Sequence, residues 1–300
     1  MCYKNFVGKV KNKKHEKKRT IIGKAGSDPP VFKSPCFFIT FIIFAALLLS
    51  FAAYKRNGIW KDGLQLWKDV VRKSVGKDRS RSNLGLAYYN QGRLDEAVKE
   101  YLAALRLKPD DAEIYNNLGV AYFNQGRLDE AIKVYRIAML LKSNSVKILT
   151  NLGNAYSKQD RIDEAIETYI TILRINPDYA EAHYNLGLTY YNQGRLDEAL
   201  KEYLTALRLK PDLPEVHNNI GNTHTKQGRL DEAIEEYTAA LRFNPDYADA
   251  HYNLGLAYWK KGLKYEAREE FEMALRLKPD FIPAHQAIES LGNRGPQTIR

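Results

Sequence analysis

A strict 34-residue period organises most of this sequence. Six glycines recur at that interval, each preceded by an asparagine and then a leucine or isoleucine: Gly85, Gly119, Gly153, Gly187, Gly221 and Gly255. Repetition at this interval is typical of arrays in which each unit is one supersecondary element that buries its apolar face against its neighbours. The period therefore predicts a stack of similar units.

Each unit predicts two helices joined by a turn. In the second unit, helical periodicity covers residues 113–124 and 129–141. Gly126 lies between them and suits the left-handed conformation that ends a helix. Asp129 places negative charge at the positive end of the second helix. Gly119 removes bulk where the paired helices are expected to cross.

Other residue types keep the same register. Each unit adds an alanine and an aromatic residue, and most units end with a proline: Ala97, Ala131, Ala165, Ala199, Ala233 and Ala267; Tyr101, Tyr135, Tyr169, Tyr203, Tyr237 and Phe271; Pro109, Pro177, Pro211, Pro245 and Pro279. In this order and spacing the sequence resembles the tetratricopeptide-repeat (TPR) family over residues 78–281. The resemblance implies an all-α fold, a right-handed TPR superhelix (α-solenoid) of six 34-residue repeats: 78–111, 112–145, 146–179, 180–213, 214–247 and 248–281.

The segments next to the repeats are predicted to finish the array. Shifted by one period, Gly63 and Trp67 fall on the small and aromatic places of the repeat, so residues 60–74 predict the second helix of a leading half repeat. A terminal helix is predicted to cover the last pair. The predicted segments are a junction with the half repeat, a capping helix and a disordered tail: 55–77, 282–292 and 293–300.

Individual repeats depart from the common pattern. Ser143 replaces the closing proline of the second repeat, and in the third Asp160 replaces a glycine and Ile172 replaces a small alanine. We expect a slightly altered packing angle there. Asp178 and Glu181 predict a capping box at the start of the fourth repeat.

An uncharged apolar segment precedes the repeats. Residues 36–54 contain no charged side chain, and a helix of these 19 residues spans roughly 28 Å, enough to cross a bilayer core. A buried helix would carry a polar stripe, which Thr40 and Ser50 alone do not make. We predict a transmembrane helix. A cleaved signal peptide is the alternative, since small residues around Ser50 offer a cleavage site.

The net charge of +10 belongs to the segments that flank this helix. Residues 1–35 hold 10 basic and 2 acidic side chains, and residues 55–77 hold 7 and 2. Residues 78–281 hold 27 basic and 31 acidic side chains, so the repeats offer no basic face to a nucleic acid. We interpret residues 1–35 as a disordered basic leader in the cytosol.

The junction carries a second resemblance. It is similar to the junction of polytopic, TPR-bearing glycosyltransferase-like membrane proteins, through Arg56, Asn57, Trp60, Asp62, Leu66, Trp67 and Asp69. In those proteins the last transmembrane helix runs directly into repeats outside the cytoplasm. Basic residues are balanced on the two sides of residues 36–54, so charge alone leaves the orientation open. The resemblance implies a cytoplasmic N-terminus and extracytoplasmic repeats, periplasmic in a bacterium, but no glycosyl transfer, because catalytic loops are missing.

The sequence gives no sign of catalysis, metal binding or a cofactor. A catalytic site usually occurs once in a protein, so acidic pairs that recur in several repeats are better explained as part of the architecture. Five repeats carry such a pair: Asp95-Glu96, Asp129-Glu130, Asp163-Glu164, Asp197-Glu198 and Asp231-Glu232. His183, His217 and His251 occupy one repeated place, about a helix diameter apart or more, too far to share a metal. No Gly-rich phosphate loop or Cys/His pair appears. We predict that the protein is not an enzyme.

One asparagine per repeat, two residues before each glycine, forms the candidate binding site: Asn83, Asn117, Asn151, Asn185, Asn219 and Asn253. The array resembles that of O-GlcNAc transferase, where equivalent asparagines bind the backbone of an extended peptide in the inner groove. An amide both donates and accepts, so it pairs with any peptide group. In the alternative interpretation, these asparagines only tolerate an exposed helical place.

Aromatic residues are expected around this asparagine series by the same resemblance: Tyr89, Phe123, Tyr184, Tyr191, Tyr252 and Trp259. Lys158, Lys226 and Lys260 are too few for a strongly acidic ligand. The sequence thus predicts a membrane-anchored scaffold that binds extended segments of partner proteins. The alternative is an accessory subunit of a membrane glycan-assembly system.

Overall fold

The computed structural model describes residues 48–50, 63–74 and 76–293. In the first unit of the chain, residues 1–58, the description covers only residues 48–50, which are helical and exposed. The predicted leader, and nearly all of the predicted transmembrane helix and tail, lie outside the described residues. No helix within the described part of the chain is long and apolar enough to cross a membrane.

The second unit of the chain, residues 59–300, contains a run of short helices. Within its described residues we number fourteen in chain order. They are α1 Gly63–Lys73, α2 Asp78–Asn90, α3 Leu94–Leu107, α4 Ala112–Asn124, α5 Leu128–Leu141, α6 Val146–Lys158, α7 Ile162–Ile175, α8 Ala180–Asn192, α9 Leu196–Leu209, α10 Pro214–Lys226, α11 Leu230–Phe243, α12 Ala248–Lys260, α13 Lys264–Leu277 and α14 Ile282–Asn293. Each 34-residue repeat contains one pair, a first helix (α2, α4, α6, α8, α10, α12) and a second helix (α3, α5, α7, α9, α11, α13).

The pairs stack in chain order. Each helix packs against the helices before and after it, and first helices of consecutive repeats also contact one another. Second helices show no comparable contact with each other within residues 63–293. The first helices therefore form one continuous surface along an all-α solenoid, which we call the inner face. Helix α1 packs on α2, and α14 packs on α13 at the other end.

The two helices of a pair meet at a glycine. The aromatic residue that recurs once in each repeat is almost fully buried in all six repeats, for example Tyr203. A Cβ atom added at Gly187 would lie 2.7 Å from Cδ1 of Tyr203 and 3.2 Å from the carbonyl oxygen of Ala199. Because real Cβ atoms do not come this close, the ring can lie against the first helix only where the facing residue lacks a side chain.

The turn inside each pair requires a left-handed residue. Gly126 has a φ of 75°, and the equivalent glycines of the other regular repeats have similar values. In the third repeat Asp160 takes this conformation with a φ of 60°. Aspartate is one of the few residues with a side chain that tolerates it. The helix pair therefore forms in the third repeat despite the loss of the glycine.

The recurring acidic pairs make contacts both between and within repeats. The first member accepts a hydrogen bond from the next repeat, as Asp95 does from Nε2 of Gln125 at 2.7 Å. The second member pairs with an arginine three residues earlier, as Glu130 does with Arg127 at 2.7 Å. Asp129 and Gln159 repeat the first contact at 2.6 Å. These contacts give the acidic pairs a structural role.

The predicted capping box is wrong. Helix α8 begins at Ala180, and the flanking residue is Tyr179, which makes no side-chain cap hydrogen bond. Asp178 lies one residue too early, and Glu181 instead accepts a hydrogen bond from the Tyr179 hydroxyl at 2.7 Å. The side chain of Asp111, at the equivalent place before α4, does accept hydrogen bonds from two backbone N–H groups.

A polar pair joins the two helices of some repeats. Nδ1 of a histidine on the first helix lies 2.6 to 2.7 Å from a glutamate on the second helix in three repeats: His183–Glu202, His217–Glu236 and His251–Glu270. Repeat 1 has an arginine–glutamate pair, Arg81–Glu100, at the equivalent places. Repeats 2 and 3 have no charged residue there: repeat 2 has Tyr115 and Val134, and repeat 3 has Leu149 and Thr168. The glutamate and its cationic or histidine partner therefore occur together or not at all, so these two places form one polar contact between the helices of a repeat.

Like His183, His251 has a hydrogen-bond acceptor beside each ring nitrogen. Its Nδ1 faces Glu270, and its Nε2 lies 3.0 Å from the carbonyl oxygen of Pro245, so both partners are acceptors and a doubly protonated ring satisfies both. Burial lowers the pKa of His251, but the hydrogen bonds to Glu270 and Pro245 and the charges of Glu270 and Asp246 outweigh it, so the pKa is raised.

We predict that the contribution of His251 to stability falls as the pH rises. A histidine whose pKa is raised in the folded state stabilises the fold fully below its unfolded pKa of about 6.5, and this stabilisation is lost above the folded pKa. The difference in free energy of unfolding between the wild type and His251→Gln should therefore be largest at about pH 5.5 and shrink toward about pH 8.5. These two values lie roughly one and two pH units from the unfolded pKa of about 6.5.

His285→Gln is the matched control. Its Nε2 has the same kind of carbonyl partner, Pro279, at 3.0 Å, but no carboxylate partner within the described residues. Its difference from the wild type should vary less with pH. A constant difference for His251→Gln across the range would contradict the assignment of His251 as a cation.

We also predict that Gly187→Ala destabilises the array. Overpacking against Tyr203 and the Ala199 carbonyl costs about 1–3 kcal/mol, and the better helix propensity of alanine returns about 1 kcal/mol. Urea denaturation should show a net loss of up to about 2 kcal/mol. Gly292→Ala is the control, because a Cβ at Gly292 meets nothing within 4 Å. Equal stability of the two variants would show that the close approach is not required.

Candidate functional site

The asparagine series lies along the inner face. Each first helix carries one of its members, and all six are half-buried: Asn83, Asn117, Asn151, Asn185, Asn219 and Asn253. Because the first helices of successive repeats contact one another, these side chains follow each other along a continuous surface. We call this set the asparagine ladder.

Four ladder amides hydrogen-bond to the preceding repeat. Nδ2 of Asn151 donates to Oδ1 of Asn116 at 2.8 Å, and Nδ2 of Asn253 donates to Oδ1 of Asn218 at 3.0 Å. The other two bonds run from Asn219 to the Tyr184 hydroxyl at 3.2 Å and from Asn185 to Oδ1 of Asn154 at 3.2 Å. Asn116 and Asn218 are almost completely buried, so these bonds satisfy polar groups that water does not reach. The ladder thus has a structural role that the sequence did not predict.

These bonds leave part of each amide free. An asparagine amide has two N–H donors and an oxygen with two acceptor positions, and each bond above uses one donor. The oxygens of Asn151, Asn219 and Asn253 accept no side-chain hydrogen bond from the described residues. Asn117 makes no side-chain hydrogen bond within residues 63–74 and 76–293. Asn83 lines a cavity of about 370 Å³ between α1 and α2.

Three of the predicted aromatic residues are partly exposed on the inner face, and each contacts a residue of the following repeat. The Tyr89 hydroxyl accepts a hydrogen bond from Asn124. The ammonium group of Lys158 lies 4.6 Å from the centre of the Phe123 ring, and that of Lys226 lies 3.8 Å from the centre of the Tyr191 ring. These are cation–π contacts, which hold the two lysines at the inner face.

The other predicted aromatic residues are more deeply packed. Tyr184 accepts the bond from Asn219 described above. Tyr252 packs against Phe271, with ring centres 5.7 Å apart. Trp259 is only 6% exposed and packs in the core with Leu291 of the capping helix. The structure therefore does not place Trp259 on an accessible inner face, because α14 covers it.

Two asparagines that the sequence interpretation missed also belong to the inner face. Oδ1 of Asn154 accepts a hydrogen bond from the Tyr169 hydroxyl at 2.7 Å, and Oδ1 of Asn222 accepts one from the Tyr237 hydroxyl at 2.7 Å. Burial raises the pKa of both tyrosines, so the hydroxyls remain protonated donors at neutral pH. The signal was available: the equivalent residues of the other repeats are apolar, Leu86, Val120, Leu188 and Leu256.

The chemistry of this surface is that of neutral amides, hydroxyls and aromatic rings with a few lysines. Among the described residues, no group of three or more histidine, cysteine, aspartate or glutamate side chains could hold a metal ion. The arrangement can pair with peptide groups and pack against side chains of a ligand.

Known proteins share this architecture. A TPR repeat model matches residues 85–126 and 221–262, and tetratricopeptide repeat models match residues 110–175, 150–214 and 248–281. No curated protein sequence matches the chain.

Several solved structures are similar. YrrB, a TPR protein with an unusual peptide-binding site, is 26% identical over 63% of this chain and 98% of its own, with a TM-score of 0.50. MamA is 28% identical over 55% of this chain and 97% of its own, with a TM-score of 0.51. PilF of Pseudomonas aeruginosa is 20% identical over 71% of this chain and 96% of its own, with a TM-score of 0.61, and shares the fold. With helix pairs, register and family models in agreement, the chain belongs to the tetratricopeptide-repeat family.

Proposed function

We propose that this protein is a membrane-anchored scaffold that binds extended segments of partner proteins on the inner face of its TPR array. The observation that supports this proposal is the asparagine ladder. Four of its six amides are held by bonds between repeats, and the ladder keeps hydrogen-bonding groups at a half-buried surface. TPR proteins in general are interaction scaffolds, and this surface is the candidate for that role here.

The chemistry of the ladder suits a peptide backbone. An extended peptide presents an N–H and a C=O at every residue, and an amide side chain pairs with both irrespective of sequence. Because four of the six ladder amides are already fixed on one side, these four lose little side-chain entropy on binding. Partly exposed rings such as Phe123 and Tyr191 add contact area for side chains of the ligand. YrrB is described as having a peptide-binding site, which supports a peptide as the ligand class.

Membrane anchoring is part of the proposal and rests on the sequence. Residues 36–54 are uncharged and long enough to span a bilayer core, and the basic segments on both sides suit its polar surfaces. Only a few residues of the sequence separate residues 36–54 from α1, which begins at Gly63. The junction resemblance favours a cytoplasmic N-terminus with the repeats outside the cytoplasm.

The same resemblance supports a second candidate function. An accessory subunit of a membrane glycan-assembly system would use the groove to recruit a glycosyltransferase or its substrate protein. Leu66, Trp67 and Asp69, which carry part of the resemblance, lie on α1 beside the first repeat. Cross-linking in native membranes, followed by identification of the partners, distinguishes the two candidates.

We predict that Asn117→Ala weakens peptide binding without loss of stability. The probe is a set of peptides of about 16 residues, selected on the full-length protein from a random library, since such a length spans roughly five repeats. Loss of paired amide contacts should weaken binding about tenfold. The free energy of unfolding should stay within about 0.5 kcal/mol, because Asn117 makes no side-chain hydrogen bond to the described residues.

Asn151→Ala is the matched comparison. It removes the donor to the buried Oδ1 of Asn116, so it should cost about 1–3 kcal/mol of stability as well as affinity. Alanine at Asn185 or Asn219 should likewise remove a bond between repeats together with a candidate peptide contact. Unchanged affinity of both single variants would contradict the ladder as a binding site.

We predict that a reporter fused after Arg300, active only outside the cytoplasm, is active in cells. The same fusion lacking residues 36–54 should be inactive, because it has no segment to carry the repeats across the membrane. Fractionation of the intact fusion should place it in the membrane. Activity of a complementary cytoplasmic reporter would reverse the proposed orientation.

A further inference from the structure

The inner face is not uniform, and its variation follows the repeats. In repeats 1, 2 and 4, three places face the groove beside the ladder, and they hold an aliphatic residue, an aromatic residue and an asparagine. In repeats 3 and 5 they are an asparagine, a small hydroxyl residue and a lysine: Asn154, Ser157 and Lys158; Asn222, Thr225 and Lys226. The three changes occur together in two separate repeats, which indicates that the three residues act as one group.

The amides of Asn154 and Asn222 are oriented by the core. The Tyr169 hydroxyl donates to Oδ1 of Asn154, and the Tyr237 hydroxyl donates to Oδ1 of Asn222, both at 2.7 Å. Asn185 adds a second bond to Oδ1 of Asn154 at 3.2 Å. With the oxygens held inward, each Nδ2 is directed away from the core, and neither donates a hydrogen bond to the described residues.

Repeat 4 shows what happens without this arrangement. It has Leu188 at the place of the asparagine, and the buried Tyr203 hydroxyl has no hydrogen-bond partner in the described part of the chain. An unpaired buried hydroxyl costs free energy. The tyrosine hydroxyls of repeats 3 and 5 thus do more than fill the core, because they fix an amide donor at the inner face.

The lysines are fixed beside these amides. Lys158 lies over the ring of Phe123 and Lys226 over the ring of Tyr191, in both cases a ring of the preceding repeat. Ser157 and Thr225 are smaller than the aromatic residues at the equivalent places of the neighbouring repeats. Each of repeats 3 and 5 therefore presents one ammonium group and one outward amide N–H beside a small hydroxyl residue.

Neither Lys158 nor Lys226 forms an ion pair within the described residues, and the nearby Asp129 and Asp197 accept hydrogen bonds from the glutamines that follow the lysines, Gln159 and Gln227. The carboxylates of repeats 4 and 5 that precede or begin the first helices are exposed: Asp178, Glu181, Asp212 and Glu215. The lysines lie at the opposite ends of the first helices, about 16 Å away along a helix axis. This exceeds the screening length of about 8 Å at physiological ionic strength.

We propose that repeats 3 and 5 hold two equivalent subsites, each of which binds one carboxylate side chain of an extended partner segment. This inference rests on the proposed function and specifies its ligand. One ammonium and one amide donor match a singly charged carboxylate. The subsites are two repeats apart, roughly 20 Å, which an extended chain spans in about six residues. The groove therefore selects segments with two acidic residues separated by about six positions.

Selection from a random library of peptides of about 16 residues on the full-length protein tests this spacing. Enriched peptides should carry Asp or Glu in pairs about six residues apart. Replacing either acid by its amide should weaken binding about tenfold, and the loss should diminish at high salt. Enriched peptides that bind the inner face without acidic pairs would overturn the subsites and leave the proposed function standing. A library without any enriched peptide would contradict the proposed function itself.

Variants separate the subsites from general effects on the groove. Lys158→Met and Lys226→Met keep the apolar contact with the preceding ring and remove the charge, so each should weaken acidic peptides about tenfold and leave their amide analogues unchanged. Lys→Arg at the same places should retain most of the affinity.

Lys260→Met is the matched control. Lys260 lies at the equivalent place in repeat 6, but there it follows Leu256 and the buried Trp259, so no outward amide accompanies it. This variant should bind acidic peptides like the wild type. An equal loss of affinity for Lys260→Met would show that a lysine of the inner face contributes by its charge alone, and it would overturn the paired subsites. Circular dichroism and urea denaturation should show all variants folded.

Discussion

The close approach of the two helices in each repeat is the constraint on which the rest of the structure depends. It requires a residue without a side chain on the first helix and a buried ring on the second, as at Gly187 and Tyr203. Because the same contact recurs six times, every repeat presents its first helix in the same relation to its neighbours. An inner face with regular spacing follows from this packing.

Regular spacing makes hydrogen bonds between repeats possible at fixed offsets. Asn151 reaches Asn116, Asn253 reaches Asn218, and Gln125 reaches Asp95 across the boundary between two repeats. In a solenoid, stability is approximately a sum of repeat terms and interface terms, so these bonds contribute to the coupling between neighbours. Four amides of the asparagine ladder therefore bond to the preceding repeat with one group and keep another group at the groove.

Variation on the regular frame gives individual repeats their own chemistry. Asn154 and Asn222 introduce an oriented amide where other repeats have aliphatic side chains, and the core tyrosines of the same repeats supply the orienting hydroxyl. The histidine–glutamate pairs of repeats 4 to 6 vary separately and lie between the helices of one repeat. One substitution pattern acts at the surface and the other between the helices of a repeat, so the binding surface and the packing of a helix pair can be altered independently.

The sequence by itself determined the helix pairs, their order and the contact at the glycines, because these depend on local periodicity and residue size. It also located the ladder, since one place per repeat is one place on each first helix. It did not show that the ladder amides bond to buried partners such as Asn116, that α14 covers Trp259, or that Tyr169 orients Asn154. Those contacts join residues 15 to 35 positions apart, and only the stacking of the repeats decides which side chains meet.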